Sequence, residues 1–523
     1  MWLRYPGSVI KLGMRATLHA CDIVPQSPQD VLSSTDLLLR PRLSKDAQIF
    51  LPGSEGYLNA TQRWSNLFHP AFALIVAPRT ERDIQSTIQH ANALNLPFLA
   101  IGGRHGTANA LNDARNAVGI WTRSMRAITV HDATFEAEDG SRYGTATVEP
   151  GVQAGELTST LHAHGKTGAS TACDCVGVAG ALLGGGHGFL QGRHGLLLDN
   201  VVSARVVTPD GRRVVTASRA ENADLFWGLR GAGHNFGVVA SVEYRVFDRR
   251  PGTDAWAYAE YVFSHERLEG VYEVANGMVG GPVELTHYGH FERRAEVDAE
   301  HVTRPALLGN LARPPSPAKI HGPPCAPWAL STKTGVVDIT QLNGIAGANL
   351  SSPFCAYGAD ILLSPTSLRR WNTTALRRAF DIYAAFPPWL RRSAALLEGY
   401  ASQAVQAVPE ADTAYPDRFN NLLVSPVMMY TAPNSDGIAE DGDGDGMQNS
   451  DLRAEMKEYA DRFRAALVEG SGDDRLYAYV NYATGDEGLE AIYGYDKWRL
   501  DKLRRLKQIW DPEGRMDFYN PIS

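Results

Sequence analysis

Phe98-Leu-Ala-Ile101 runs directly into Gly102-Gly103-Arg104-His105-Gly106. Four apolar residues of strand length end in glycines that let backbone N–H groups approach a ligand closely. Such a loop is a nest for an anion, and Arg104 adds positive charge. It is not the G-x-G-x-x-G fingerprint that opens a helix. Alone it reads equally as a strand-end turn without a ligand. Upstream, Phe72-Ala-Leu-Ile-Val76 reads as a short buried strand. Pro78 follows, and Thr80 suits an N-cap. Ile84, Ile88, Ala91 and Leu94 then recur at helical spacing. The order is strand, helix, strand, glycine loop.

Downstream, residues 126–150 alternate as strands and stop at Glu149-Pro150-Gly151. A short helix is expected over Ala154–His164. Val201–Thr208, the turn Pro209-Asp210-Gly211 and Arg212–Thr216 read as a hairpin. Val238, Ala240, Val242, Tyr244 and Val246 alternate with more polar neighbours, as on a half-buried strand. The region 72–247 is one α+β unit. The character then changes. Pro305–Pro327 reads as a proline-rich connector, too stiff and donor-poor for a core strand. Asp436–Asp451 is an acidic, glycine-rich loop. Leu452, Met456, Tyr459, Phe463 and Leu467 mark a helix face. Leu476–Tyr482 reads as a strand, and Trp498–Trp510 as a helix stopped by Asp511-Pro512. These readings give an irregular lead-in over 1–50, a first domain over 51–250, an inserted domain over 251–475, and a return to the first domain over 476–523.

The chain has 523 residues, 44% hydrophobic and 21% charged, the balance of an ordinary globular protein. Fifty basic against 58 acidic residues leave a net charge of −8. That argues against nucleic-acid binding by bulk charge. No apolar run approaches the ~20 residues of a membrane span. Arg4, Lys11 and Arg15 interrupt any secretory signal, so a cytoplasmic location is favoured over secretion. The sequons at Asn59, Asn349 and Asn372 matter only in a secreted chain. Five cysteines, Cys21, Cys173, Cys175, Cys325 and Cys355, are too few for a disulfide scaffold, and their odd number leaves at least one thiol free.

A second glycine-dense stretch begins at Cys173-Asp-Cys175-Val176-Gly177-Val-Ala-Gly180. It continues through Leu183-Gly184-Gly185-Gly186-His187-Gly188 to Gly195-Leu-Leu-Leu-Asp199-Asn200. Backbone rather than side chains lines something here, and the aliphatic residues between the glycines argue against a mobile surface loop. Cys-x-Cys near His187 and His194 fits no standard zinc spacing. A third segment, Phe226-Trp227-Gly228-Leu-Arg230-Gly231 with Asn235-Phe236-Gly237-Val238-Val239, reads by itself as helix, glycines and buried strand. Asp441-Gly-Asp443-Gly-Asp445-Gly446 copies the start of a calcium loop, but Leu452 stands where a bidentate glutamate belongs. It reads as an acidic loop.

Together the three segments resemble the flavoenzymes with a vanillyl-alcohol-oxidase-type (PCMH-type) FAD-binding domain, in their berberine-bridge-enzyme-like branch. Tyr479-x-Asn481, Tyr493-Gly494, Leu503 to Lys507, Asp511-Pro512 and Asn520-Pro521 extend the likeness from about residue 50 to the end. It is nearest to fungal members associated with secondary metabolism. The resemblance implies FAD bound covalently through His105, with a thioether from Cys173 in addition or not; Cys175 is the weaker candidate. It places Gly102, Gly103, Arg104, Gly106, Val176, Gly177, Gly180, Gly185, Gly186, Gly188, Gly237, Val238 and Val239 about the cofactor. Glu149-Pro150-Gly151-Val152 and Gly237-Val238-Val239 match segments holding its ADP half. Val176 resembles the residue found in oxidases, which implies dioxygen as acceptor.

Tyr479 and Asn481 are implied to face the flavin, with Tyr482 a third catalytic candidate and Tyr479 the base. Arg418, in Tyr415-Pro-Asp-Arg418, is the candidate cation for lowering a tyrosine pKa from its usual ~10. The implied reaction moves hydride from an alcohol or amine carbon of a bulky small molecule to flavin N5, with hydrogen peroxide formed on reoxidation and ring closure as an option. A non-redox cyclase or lyase, a carbohydrate oxidase and a non-enzymatic binding protein are the alternatives. No metal, nucleic-acid or membrane partner is expected.

Overall fold

The computed structural model describes residues 35–136, 140, 142–249, 255–283, 285–293, 302–310, 323–430 and 449–522, with backbone alone at 36, 302–310 and 449. The acidic 441–446 loop, Cys21 and the basic start of the chain lie outside them. Among the described residues no helix is long and apolar enough to cross a membrane.

The first sheet contains β1 (Gln48–Phe50), β2 (Phe72–Ala77), β3 (Phe98–Ile101) and β4 (Ala117–Trp121), in the order β1-β2-β4-β3. β2 and β3 run parallel to β4. The helix Glu81–Ala93 starts at Thr80 as read. Thr80 Oγ1 accepts from the Asp83 N–H, and the Asp83 carboxylate accepts from the Thr80 N–H, closing a capping box. Ile84, Ile88 and Ala91 are fully buried against Leu74, Val76, Val118 and Ile120. The expected lead-in is less irregular than the sequence suggests. β1 pairs antiparallel with β2, and Leu39 is buried in the same core.

The second sheet contains β5 (Ile128–Glu136), β6 (Arg142–Val148), β7 (Lys166–Thr167), β8 (Val201–Val207), β9 (Val214–Ser218) and β10 (Val238–Asp248). Its order is β5-β6-β10-β8-β9, with β7 beside β10. The helix Ala154–Ala163 and the hairpin turn at 208–213 match their sequence readings. The inner ends of β8 and β10 place Val207, Val238 and Ala240 in the core of the first sheet, so the two sheets share one interior.

The third sheet contains β11 (Trp256–Ser264), β12 (Leu285–Glu292), β13 (Val302–Asn310), β14 (Ser331–Val337), β15 (Asp360–Leu363), β16 (Thr366–Leu368), β17 (Ala394–Gly399) and β18 (Leu422–Tyr430). Its order is β14-β11-β13-β12-β17-β18-β15, with β16 beside β18. β13 corrects the connector reading. Pro305 lies inside a strand paired on both sides, opposite Gly289 of β12. Its missing N–H shows in the ladder: pairing with β11 stops after Ala306 and resumes at Thr303.

Alternation sorts the faces of this sheet. Phe291, Ala395, Leu397, Val424 and Met428 pack on one side under helices Leu268–Asn276, Thr373–Ala384 and Asn449–Val468. Tyr288, Leu396, Glu398, Val427 and Met429 point to the other side, where a large cavity lies.

The tail corrects a second reading. Leu476–Tyr482 is not a strand. The Tyr479 carbonyl accepts from the N–H groups of Tyr482 and Ala483, which makes a turn. Further on, Tyr493, Leu503, Leu506 and Trp510 pack into the core beneath the second sheet. Helix Lys497–Trp510 ends at Asp511 as read.

One ion pair fastens segment 413–418 to the turn before β8. Arg418 meets both oxygens of Asp199 at 2.8 Å, and their side chains are 2% and 7% exposed. Replacing Asp199 with Ala strands a buried guanidinium. We expect a loss of about 3–5 kcal/mol, read as a lowered thermal midpoint, with Asp199→Asn losing less.

Candidate active site

A cavity of about 920 Å³ is lined by the glycine loops and by the face of the third sheet that carries Tyr288, Leu396, Glu398, Val427 and Met429. One wall is Gly102–Gly106, Cys173, Val176, Gly177, Gly180 and Gly237–Val239. The two glycine loops touch backbone to backbone. A Cβ built on Gly177 would lie 2.6 Å from the Gly103 N, so no side chain fits there.

His105 sits at this contact. Its ring stacks on Trp64 at 5.1 Å, and its Nε2 is buried without a hydrogen-bond partner. Burial, reinforced by Arg104 and Arg63, pushes its pKa down to about 3. The imidazole is therefore neutral, with a lone pair available. Arg104 is held in left-handed backbone at φ 65°. Its guanidinium lies over Tyr357, and Nη2 donates to that hydroxyl at 3.2 Å, so its charge is directed at this tyrosine as well as lining the cavity.

Cys173 also borders the cavity, and burial pushes its thiol up to about 12. Cys175 is bonded to Cys355, a pairing 180 residues apart in sequence. Among the described residues Cys173 and Cys325 are free and buried. The histidines near the Cys-x-Cys stretch go elsewhere. His187 meets Gln191 and Tyr415, and His194 stacks on Phe247. No zinc set is assembled from these four residues.

Gly185, Gly186 and Gly188 do not line the cavity. They shape the turn behind it. Gly185 and Gly186 have φ of 147° and 90°, and the Gly186 N–H donates to Tyr479 Oη at 2.8 Å. Gly188 presses on the Ser170 carbonyl.

Another part of the lining brings the tyrosines together. Tyr479, Asn481 and Tyr482 all face the cavity, because the 479–482 turn replaces the expected alternation. Tyr477 points away to Asp473. Tyr479 Oη accepts from Gly186 and from Asn481 Nδ2, each at 2.8 Å. Burial still raises its pKa to about 12. Arg418 is not its cation, since that guanidinium is committed to Asp199 and Thr413.

The sequence reading missed Glu398. It is 1% exposed, and its carboxylate accepts from Tyr400 Oη at 2.6 Å and from Tyr482 Oη at 3.1 Å. Burial pushes its pKa up to about 7, against the lowering effect of those two bonds. The available signal was one acid inside the apolar run Ala394-Ala-Leu-Leu-Glu398.

The fit to FAD rests on the unpartnered His105 nitrogen, the backbone-lined wall and the size of the cavity. We expect tryptic peptide His105–Arg115 to carry the flavin mass, and His105→Ala to lose that covalent attachment at the histidine. Acid precipitation followed by mass spectrometry reads both.

Residues 72–217 match the family model described as an FAD binding domain. A FAD-linked oxidoreductase of Penicillium roqueforti is 33% identical over 494 residues, covering 92% of this chain and 91% of that protein. The xylooligosaccharide oxidase of Myceliophthora thermophila superposes with a TM-score of 0.74 at 22% identity, covering 94% of this chain and 99% of its own. The glucooligosaccharide oxidase of Acremonium strictum, described with a 6-S-cysteinyl, 8α-N1-histidyl FAD, superposes with a TM-score of 0.72 at 20% identity, covering 95% and 98%. With the vanillyl-alcohol-oxidase-type fold and nine-tenths of its length matched at such identity, this chain belongs to the FAD-linked oxidoreductases.

Proposed function

We propose that this enzyme is an oxidase that takes hydride from an alcohol or amine carbon of a bulky, largely apolar small molecule and forms hydrogen peroxide from dioxygen. The observation that carries this reading is the buried Glu398 carboxylate, hydrogen-bonded to two phenols in the lining of the cavity that His105 also borders. Bound FAD would supply the electron sink for the hydride and the route of its electrons to dioxygen. His105 and Cys173 would be its covalent anchors, and the glycine loops would cradle it.

The protein supplies the base. Tyr482 Oη takes the substrate hydroxyl or amine proton as its own proton passes to Glu398 Oε1. Tyr400 holds the other carboxylate oxygen. This relay assigns the base to Tyr482 rather than to Tyr479. The Tyr479 oxygen already accepts two hydrogen bonds, and among the described residues no cation is paired with it; it positions Asn481 and the Gly186 turn. Tyr288, Leu396, Val427, Met429 and Phe354 line the space near the relay, which suits an apolar or aromatic substrate. Aldehyde or imine formed there is electrophilic, and a substrate bearing an internal nucleophile would close a ring.

Anaerobic mixing tests the class. Aryl and alkyl alcohols, amines and oligosaccharides are each added to the yellow protein. Bleaching of the visible flavin band supports the oxidase reading, and bleaching by oligosaccharides alone supports a carbohydrate oxidase. Conversion without bleaching supports a non-redox cyclase and overturns the proposal.

The relay fixes the pH dependence. Glu398 accepts a proton only when ionised, and its folded pKa lies above that of a free carboxyl. Turnover should therefore rise with pH through about 7. Glu398→Gln should remove that limb. Tyr482→Phe should lower kcat about 10²–10⁴-fold, with Tyr479→Phe losing much less.

A further inference from the structure

Three sulfurs converge where the cofactor reading needs one. Cys173 Sγ lies 3.5 Å from Cys175 Sγ and 3.8 Å from Cys355 Sγ. All three residues are buried, packed with Ala348 beside Val176 and Phe354. They come from two chain segments. Cys173 and Cys175 belong to the glycine-rich turn of the first region, and Cys355 ends a loop that follows helix Leu342–Ile345. That loop is fastened to the Cys-x-Cys stretch. The Asp174 N–H donates to the Ala348 carbonyl at 2.9 Å, and Asn343 Nδ2 donates to Asp174 Oδ1 at 2.7 Å. Trp64 Nε1 donates to the Phe354 carbonyl at 2.7 Å, so the ring stacked on His105 holds the same loop.

A thiol this close to a disulfide has its exchange partner within reach. We propose that the Cys175–Cys355 disulfide guards Cys173, keeping it the one free thiol at the flavin, and that exchange onto Cys173 withdraws it from covalent attachment. The proposal rests on the reading that Cys173 forms the flavin thioether. The exchange balances without an external oxidant. The Cys173–Cys355 bond forms, the Cys175–Cys355 bond breaks, and the proton of the Cys173 thiol ends on Cys175. Cys173 lies beside the S–S bond, nearly equidistant from its two sulfurs. In-line attack therefore takes a side-chain rotation.

Burial of Cys173 keeps its thiolate scarce, so the guarding arrangement persists once formed. The thioether replaces S–H and C6–H with S–C6, and the two electrons and two protons leave with dioxygen as hydrogen peroxide. A Cys173 already in a disulfide has no S–H to give. Without Cys355, dioxygen oxidises the Cys173 and Cys175 thiols, whose sulfurs lie 3.5 Å apart, to a disulfide and is itself reduced to hydrogen peroxide. Without Cys175, it joins Cys173 to Cys355 in the same way.

The experiment is non-reducing peptide mapping after alkylation in denaturant, with flavin located by fragmentation. In the wild-type holoenzyme, Cys175 is joined to Cys355 and Cys173 carries flavin. In Cys355→Ser, Cys173 loses its flavin to a Cys173–Cys175 disulfide, and the cofactor stays on His105. In Cys175→Ser, Cys173 is joined to Cys355. The double variant Cys175→Ser/Cys355→Ser leaves Cys173 alone and regains the thioether, which separates guarding from misfolding. Equal flavin on Cys173 in the wild type and both single variants overturns the proposal, as does a double variant that fails to regain the link. A wild-type protein with flavin on His105 alone overturns the thioether reading. In that case a Cys173–Cys355 bond in Cys175→Ser, made by dioxygen from two thiols, still shows that Cys355 can reach Cys173.

Discussion

The contact of Gly103 with Gly177 is the constraint on which the site depends. Two loops from separate strands meet with no side chain between them, and a Cβ on either glycine would overlap the other loop. Close approach of main chain to main chain is what glycine permits and other residues do not. It sets His105 and Cys173 on one wall, although 68 positions separate them in sequence. Both loops line the cavity, and a pyrophosphate-bearing cofactor needs backbone donors there more than side chains.

The opposite wall follows from a different rule. A strand presents alternate residues to opposite faces, and helices Leu268–Asn276, Thr373–Ala384 and Asn449–Val468 cover only one of the third sheet's two. Its uncovered face is therefore closed by the glycine-loop region, with a cavity at the join. Glu398 lies on that face. Burying a lone carboxylate is costly, and the raised pKa of about 7 records that cost. Two phenols offset part of it. The same burial moves the carboxyl from a group always ionised at neutral pH to one poised there, which is what a proton acceptor in a relay requires.

Features set by short-range pattern were legible in the sequence. Thr80 with Asp83, the hairpin about Pro209–Gly211 and the alternation from Val238 to Val246 all form where local chemistry places them. His105 and Cys173 were legible because their glycine contexts are distinctive. Pro305 misled because a missing donor argues against a central strand, yet β13 tolerates it by leaving its ladder with β11 open at that point. The 479–482 turn misled because Tyr-Ala-Tyr-Val-Asn-Tyr alternates as a strand would, while the hydrogen bonds fold it back. Glu398 with Tyr482, and Cys175 with Cys355, are pairings between distant segments. No local pattern encodes them.

The position of Tyr482 has a structural consequence. Its phenol comes from the last fifty residues, which pack Tyr493, Leu503 and Trp510 into the core beneath the second sheet. Its carboxylate partner comes from β17, in the sheet that faces that core across the cavity. The Tyr482–Glu398 hydrogen bond thus joins two distant parts of the chain and forms only when the chain has returned to its first half. The Arg418–Asp199 pair spans the same join, buried at both ends. A buried pair is weak evidence for net stability but strongly disfavours any arrangement that separates its members. Its place beside Tyr415, whose hydroxyl meets His187 at the cavity edge, ties the registry of the join to the wall that carries Tyr479. Loosening that join would therefore disturb the relay before it unfolded the sheets.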